Sequence, residues 1–290
     1  MANLKDIRLR INSIKSTQQT TKAMKMVSAA KLRKAQDAII RLRPYANKMK
    51  ELLHNLLLGQ QEIDSPFVKT REIKKVVLVV VTSNKGLCGA FNSAIYKLVQ
   101  STIQQKYSEL HKQGNVQLLC VGKKGYEYFK KSHSLIGENH DLFTKISFVQ
   151  TADLAEMLMQ GFKEGKWDKV EVVYNEFKNV ATQIRKVETF LPLEVPKNEK
   201  VNPVDYIFEP NKEEILSELI PKILKIQFYR CILESNASEH GARMVAMDSA
   251  TENASQLISQ LRLVYNKERQ AAITKEILEI VGGAEALASN

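Results

Sequence analysis

The chain has 290 residues, with 43 Lys and Arg against 32 Asp and Glu, a net charge of +11, and three cysteines. That length holds one sizeable domain with an extension, or two domains. No run approaches the 18 or more apolar residues that span a bilayer, and Met1 leads straight into an apolar repeat with neither a signal-peptide core nor a transit segment. Cys88, Cys120 and Cys231 lie far apart, which excludes a thiolate zinc site and a local redox pair and reads as buried free thiols in a reducing compartment.

The first 57 residues contain no glycine, and apolar side chains recur there at alternating spacings of four and three, from Leu4, Ile7 and Ile11 to Met49, Leu53 and Leu56. A 3.5-residue repeat sustained this long marks a coiled-coil seam, and a helix of that length reaches about 85 Å. Pro44 is expected to kink or break it. The seam turns polar at Gln18, Thr21, Lys25 and Ser28, while Met24, Met26 and Val27 lie off it. This stretch is either poorly packed with a local register shift, or a surface that meets a second protein. Thirteen Lys and Arg against Asp6, Asp37 and Glu51 make residues 1–58 a basic rod that should face something acidic.

In the middle the period changes, and nine of the twelve glycines fall between residues 59 and 165, so turns concentrate there. The β-branched run Val76–Val81 predicts a strand buried on both faces. The loop from Ser83 to Asn92 leads into a helix over about 93–113. A second strand is expected over Val116–Val121, a helix over 123–132, a weaker strand near 145–149, and a helix over 152–165 capped by Thr151. Val170–Tyr174 and 179–190 read as further extended segments, and the proline-bearing stretch 192–212 as a linker. Strands alternating with helices indicate a mostly parallel, Rossmann-like sheet.

The 4-3 rhythm returns from Leu216 through Ile223, Arg230, Ala237, Met244, Thr251 and Ile258 to Tyr265. The fold class is therefore an α/β domain (75–195) inserted between N-terminal (1–57) and C-terminal (212–286) helices that form a long antiparallel coiled coil. Aligning Leu56 with Leu216 puts Ile14 near Ile258 and Thr21 near Thr251, and leaves about the last 18 residues without a partner helix.

Little here suggests catalysis. Gly86 and Gly89 do not give G-x-G-x-x-G, and no P-loop Lys-Ser/Thr follows. Gly161 to Trp167 has a spacer one residue short of a P-loop. The five histidines show no ligand spacing, His240 should pack in the seam, and no catalytic, metal or cofactor residues are expected. A basic coiled-coil arm could instead lie along nucleic acid, with steep salt dependence. A third possibility is an α/β enzyme that dimerises through its arms.

The residues also carry a resemblance. Ile7-Arg8 through Ile14, Thr17-Gln18, Thr21-Lys22-Ala23-Met24-Lys25-Met26-Val27, Lys31-Leu32-Arg33-Lys34-Ala35 and Arg43-Pro44-Tyr45 resemble the amino-terminal arm of the F-type ATP synthase γ subunit family. The loop from Thr82 to Asn92 is similar to that family's signature, as are Glu239 to Met247, Ala250 to Ala254 and Leu263 to Ile277. The resemblance implies a non-catalytic rotor shaft, one copy per complex, standing in the α and β ring beside ε and on the c-ring. It implies a peripheral place on the cytoplasmic face of a bacterial plasma membrane, with no nucleic acid partner. By position, Met24 and Lys25 resemble contacts to the acidic lever loop of β, and Cys88 a residue near that lever. Arg243, Arg269, Gln270 and Thr274 resemble residues meeting the upper ring, and Tyr206 a c-ring contact. The cysteine-bearing regulatory segment of plastid relatives has no counterpart here.

Overall fold

The computed structural model describes residues 4–57, 65–144, 146–193, 209 and 211–288. The chain packs as two compact units, Met1–Val27 with Met244–Asn290, and Ser28–Arg243.

Helix α1 spans Leu4–Leu57 and helix α6 spans Lys212–Ala288. Every described seam position of α1 from Leu4 to Leu53 is buried or half-buried, whereas the intervening basic residues are mostly exposed. The apolar rhythm therefore marks the packed stripe, as a heptad seam should. Pro44 does not interrupt α1, contrary to the expected break. A proline forfeits one backbone hydrogen bond, and here buried Ile39, Met49 and Leu53 pin the helix on either side of it.

In the first unit the two helices run antiparallel. The Gln18 amide donates to Ser255 Oγ at 2.6 Å, Thr21 Oγ1 and Thr251 Oγ1 lie 2.8 Å apart, and Lys25 Nζ lies 2.5 Å from Asp248. Positions rise on one helix as they fall on the other, in the register expected from the apolar repeats. The polar break in the seam is thus a ladder of cross-helix hydrogen bonds, with no register shift. Beyond it, Ile273 to Ala284 are all exposed.

The second unit is built on a five-stranded sheet: β1 (Val76–Val81), β2 (Val116–Val121), β3 (Ser134–Asn139), β4 (Lys169–Phe177) and β5 (Gln183–Leu191). Their order is β3-β2-β1-β4-β5, parallel except for the antiparallel β4–β5 pair. The whole of β1 is buried because alternate residues serve opposite cores. Val77, Val79 and Val81 pack with α5 (Phe148–Lys163) and with Leu216, Ile220, Leu224 and Phe228 of α6. Val76, Leu78 and Val80 pack with Ile95, Val99 and Ile103 of α2 (Phe91–Lys106) and with Phe129, at the end of α4 (Lys123–Phe129). A strand covered on both faces needs a continuous apolar run, which is why VVLVVV carried so clear a signal.

Several boundaries differ from expectation. The helix foreseen over 93–113 stops at Lys106, because Tyr107 turns its ring into the core, and a short α3 (Ser108–Lys112) follows. No strand forms near 145–149 among the described residues. The third parallel strand is instead β3, whose weak SLIGEN pattern suits a partly covered sheet edge. The apolar residues there begin α5: Phe148 rests edge-on against Tyr229 and Val149 is exposed. The cap is Ser147, whose Oγ accepts from Gln150 N, while buried Thr151 donates to the Ser147 carbonyl. The linker 192–212 lies largely outside the described residues.

Between Leu216 and Met247, α6 departs from a single stripe: Cys231 to Ser235 are buried in succession. From Ile223 to Met244 no residue of the helix is exposed, so buried polar groups appear on it that a heptad reading cannot foresee.

Candidate partner-contact loop and helical tip

The turn after β1 occupies the place where α/β sheets commonly bind phosphates. Here it is closed by its own side chains. Asn92 Oδ1 accepts from Ser83 N at 3.0 Å, and its Nδ2 donates to Ser83 Oγ at 2.7 Å and to Cys88 Sγ at 3.4 Å. Ser83 Oγ donates to the Lys85 carbonyl at 2.7 Å. Asn84 bridges to the next crossover, accepting from Lys123 N and donating to the His140 carbonyl. Gly122 must be glycine, since at φ +107 a Cβ would stand 2.1 Å from the Thr82 carbonyl oxygen. The Ser83 amide at the head of the turn and the Lys123 amide beside it are thereby spent inside the fold. A cavity of about 530 Å³ at the end of β3 is lined by Glu138, Asp141 and Asp153, the wrong sign of charge for a nucleotide.

The loop offers one large apolar residue to the outside. Leu87 is 66% exposed and holds φ +61, a left-handed conformation unusual for a leucine. Its neighbour Cys88 is buried, and burial pushes the thiol up from its ordinary range. The other two cysteines are likewise free and buried. Cys88 is withdrawn from the surface of the chain, and Leu87 is the large apolar side chain that this loop exposes.

Arg243 holds the loop from behind. Its Nη2 donates to the Lys85 carbonyl at 2.8 Å and the Gly86 carbonyl at 3.3 Å, Nε reaches the Gly86 carbonyl at 3.4 Å, and Nη1 pairs with Glu239 Oε1 at 2.6 Å. Both side chains of that pair are 9% exposed. Burial raises the Glu239 carboxyl, with the Arg243 charge opposing the rise. Beside them His240 is half-buried, and burial, with the Arg243 and Lys31 charges, holds it down to about 4.

The remaining expected residues fall into separate places. Met24 is half-buried and Lys25 is paired with Asp248, while Met26 and Val27 are exposed. Arg269, Gln270 and Thr274 are all exposed near the end of α6, with Gln270 and Thr274 one turn apart on one face. Ile273, Ile277, Leu278, Ile280 and Val281 are exposed there as well. Tyr206 lies outside the described residues.

Sequence reading missed two arrangements. One is the Arg243 clamp, for which the i, i+4 spacing of Glu239 and Arg243 was the available signal. The other is a half-buried network between β5 and α6. Glu188 lies 2.5 Å from Arg230 and accepts from Tyr174 Oη at 2.8 Å and Gln227 Nε2 at 2.9 Å. Burial alone would raise the Glu188 carboxyl, but Arg230 and these hydrogen bonds outweigh it and hold it below the usual range. Burial raises Glu234, which lies 3.8 Å from the same Arg230.

These observations define a class: a helical-arm protein in which two terminal helices enclose, in chain order, an α/β domain whose phosphate turn is closed. The family model described as ATP synthase matches residues 3–287. The ATP synthase gamma chain of Cytophaga hutchinsonii is 54% identical, and that of Flavobacterium johnsoniae 53%, each alignment covering 99% of both chains. The chain belongs to the ATP synthase gamma chain family. Its fold is similar to the rotor of the Euglena gracilis mitochondrial ATP synthase, with a TM-score of 0.64 at 20% identity over 93% of this chain and 98% of that one. The central stalk of the Tetrahymena thermophila mitochondrial enzyme gives 0.56 at 25% identity, over 80% of this chain and 99% of that one. The nucleic-acid reading of the basic arm gains no support from these likenesses. Among the described residues, no helix is long and apolar enough to cross a membrane.

Proposed function

We propose that this chain is the central rotor shaft of an F-type ATP synthase, a non-catalytic subunit that couples c-ring rotation to conformational change in the catalytic β subunits. Full-length likeness to bacterial gamma chains carries the reading. The closed turn after β1 is consistent with it, since nucleotide chemistry would then reside in the surrounding ring.

The mechanism follows from asymmetry. A single shaft in a ring of alternating α and β subunits meets each β with a different face, and so biases each catalytic site toward a different state. Proton-driven rotation moves that bias around the ring during synthesis, and hydrolysis reverses it.

On this reading residues 1–57 and 212–286 form the shaft, and residues 75–195 the domain beside ε on the c-ring. Met24, Lys25 and the loop carrying Cys88 face the acidic lever of β, with exposed Leu87 as that loop's apolar point. Arg269, Gln270 and Thr274 meet the upper ring, and Tyr206 meets the c-ring. The excess positive charge of the first arm suits acidic partners. The complex is placed on the cytoplasmic face of a bacterial plasma membrane, with this chain held there peripherally.

Reconstitution tests the function. Purified chain added to α and β subunits should yield an assembled complex with ATP hydrolysis, and the chain alone should show none. An α and β mixture whose activity and assembly ignore the added chain would reject the rotor assignment.

A further inference from the structure

We propose that Arg243 is a positioning residue: it clamps the loop after β1 to α6, so that Leu87 is carried by the shaft as a rigid cam. The inference rests on the rotor reading. It assigns Arg243 to the inside of the chain, in place of the outward ring contact that family resemblance implies.

Three observations carry it. The guanidinium is fully engaged within the chain: one edge takes two successive loop carbonyls, Lys85 and Gly86, and the remaining nitrogen takes Glu239. The group is 9% exposed, leaving little surface for a partner. The clamped carbonyls immediately precede Leu87, the loop's strained and exposed leucine. A left-handed leucine persists only where its surroundings over-determine it. Here they do so from both sides, with Arg243 holding the two residues before it and Asn92 and Ser83 holding the buried Cys88 after it.

The arrangement has a mechanical reason. An exposed loop ordinarily yields under load, because few buried contacts resist its opening. A planar fork that donates to two adjacent carbonyls removes that freedom at small cost, since its geometry is fixed in advance. Glu239 then has the task of orienting the fork and balancing its buried charge. A lysine at position 243 could satisfy Glu239 or one carbonyl, but not both carbonyls together.

The test uses the assembled membrane complex carrying Arg243→Lys. Because a lysine there could disturb folding, Glu239→Gln/Arg243→Met is made alongside it; that pair removes the clamp without leaving a buried charge. Exchange of the Ser83 and Phe91 amides, which close the two ends of the loop on Asn92 and Cys88, should quicken about tenfold or more in both, as expected when charge-assisted hydrogen bonds to a loop are lost. Protons pumped per ATP hydrolysed should fall in step, while assembly is retained. Pumping that falls with loop exchange unchanged would overturn the proposal and favour direct contact between Arg243 and the ring. Faster exchange with undiminished pumping would overturn it too, showing that loop rigidity carries no load. Failure of the unaltered chain to assemble with α and β would instead reject the rotor reading itself.

Discussion

Thr21 and Thr251 meet hydroxyl to hydroxyl, 2.8 Å apart, across two helices 230 positions apart in sequence. Each is also anchored at home: Thr21 donates to the Gln18 carbonyl at 3.0 Å and Thr251 to the Met247 carbonyl at 2.7 Å. The pair fixes the antiparallel register at a point where apolar packing thins out.

That contact predicts a crosslink. Thr21→Cys with Thr251→Cys should close to a disulfide under mild oxidation, since facing seam positions satisfy the short Cβ separation the bond requires. Thr21→Cys with Ile258→Cys, two turns away, should not. Mass spectrometry of unreduced digests reads the outcome, and an equal yield of both bridges would contradict the register.

The Glu188 and Glu234 carboxyls should respond oppositely to pH. Glu188 is held below the usual range, so its contribution is complete above that range and fades as pH falls through its folded value. Removing its charge with Glu188→Gln leaves the half-buried Arg230 without its nearest counter-ion and should cost about 1–2 kcal/mol at neutral pH, less in acid. Glu234 is raised, so its ionised form costs stability at neutral pH, and that cost disappears as pH falls through its folded value. Glu234→Gln should therefore stabilise the chain by about 1 kcal/mol at neutral pH, with the gain shrinking in acid. Denaturant titrations at two pH values separate the cases; parallel pH trends for both variants would contradict the assignment.

Gly161 is a packing requirement. A Cβ on it would stand 2.0 Å from the Trp167 ring, whose Nε1 donates to the Leu158 carbonyl at 3.0 Å. Gly161→Ala should cost about 1–3 kcal/mol by forcing the indole aside. Trp167 is the only tryptophan, so its fluorescence reports the displacement directly. An unchanged emission maximum with unchanged stability would show that the ring yields freely.

Ending the chain at Ala272 removes a segment whose described side chains, Ile273 to Ala284, are all exposed. The truncated chain should unfold within about 0.5 kcal/mol of the full one, as expected where little is buried. A larger loss in thermal melts would mean that the tip packs on something within the chain.

Much of this was legible in the sequence where one physical demand dominated. The seam from Leu4 to Leu53 and the buried strand Val76–Val81 each answer to a single periodic requirement, and both were readable. Reading failed where two demands competed. Ile146, Phe148 and Val149 look like a strand by composition, yet Ser147 caps a helix there and the real strand, Ser134–Asn139, is a weakly patterned edge. The Arg243 clamp was hidden for a different reason: a guanidinium gripping carbonyls some 160 positions away leaves no local pattern beyond its i, i+4 partner Glu239.

The exposed run from Ile273 to Ala284 has one more implication. Among the described residues the side-chain bond of that run, the Lys275–Glu279 ion pair, lies within it, so a sleeve fitted around the run could let it slip past without breaking a bond to the rest of the described chain. The helix end is suited to be a bearing: Ile273, Ile277, Leu278, Ile280 and Val281 give it an apolar surface, with the charges of Lys275, Glu276 and Glu279 set between them.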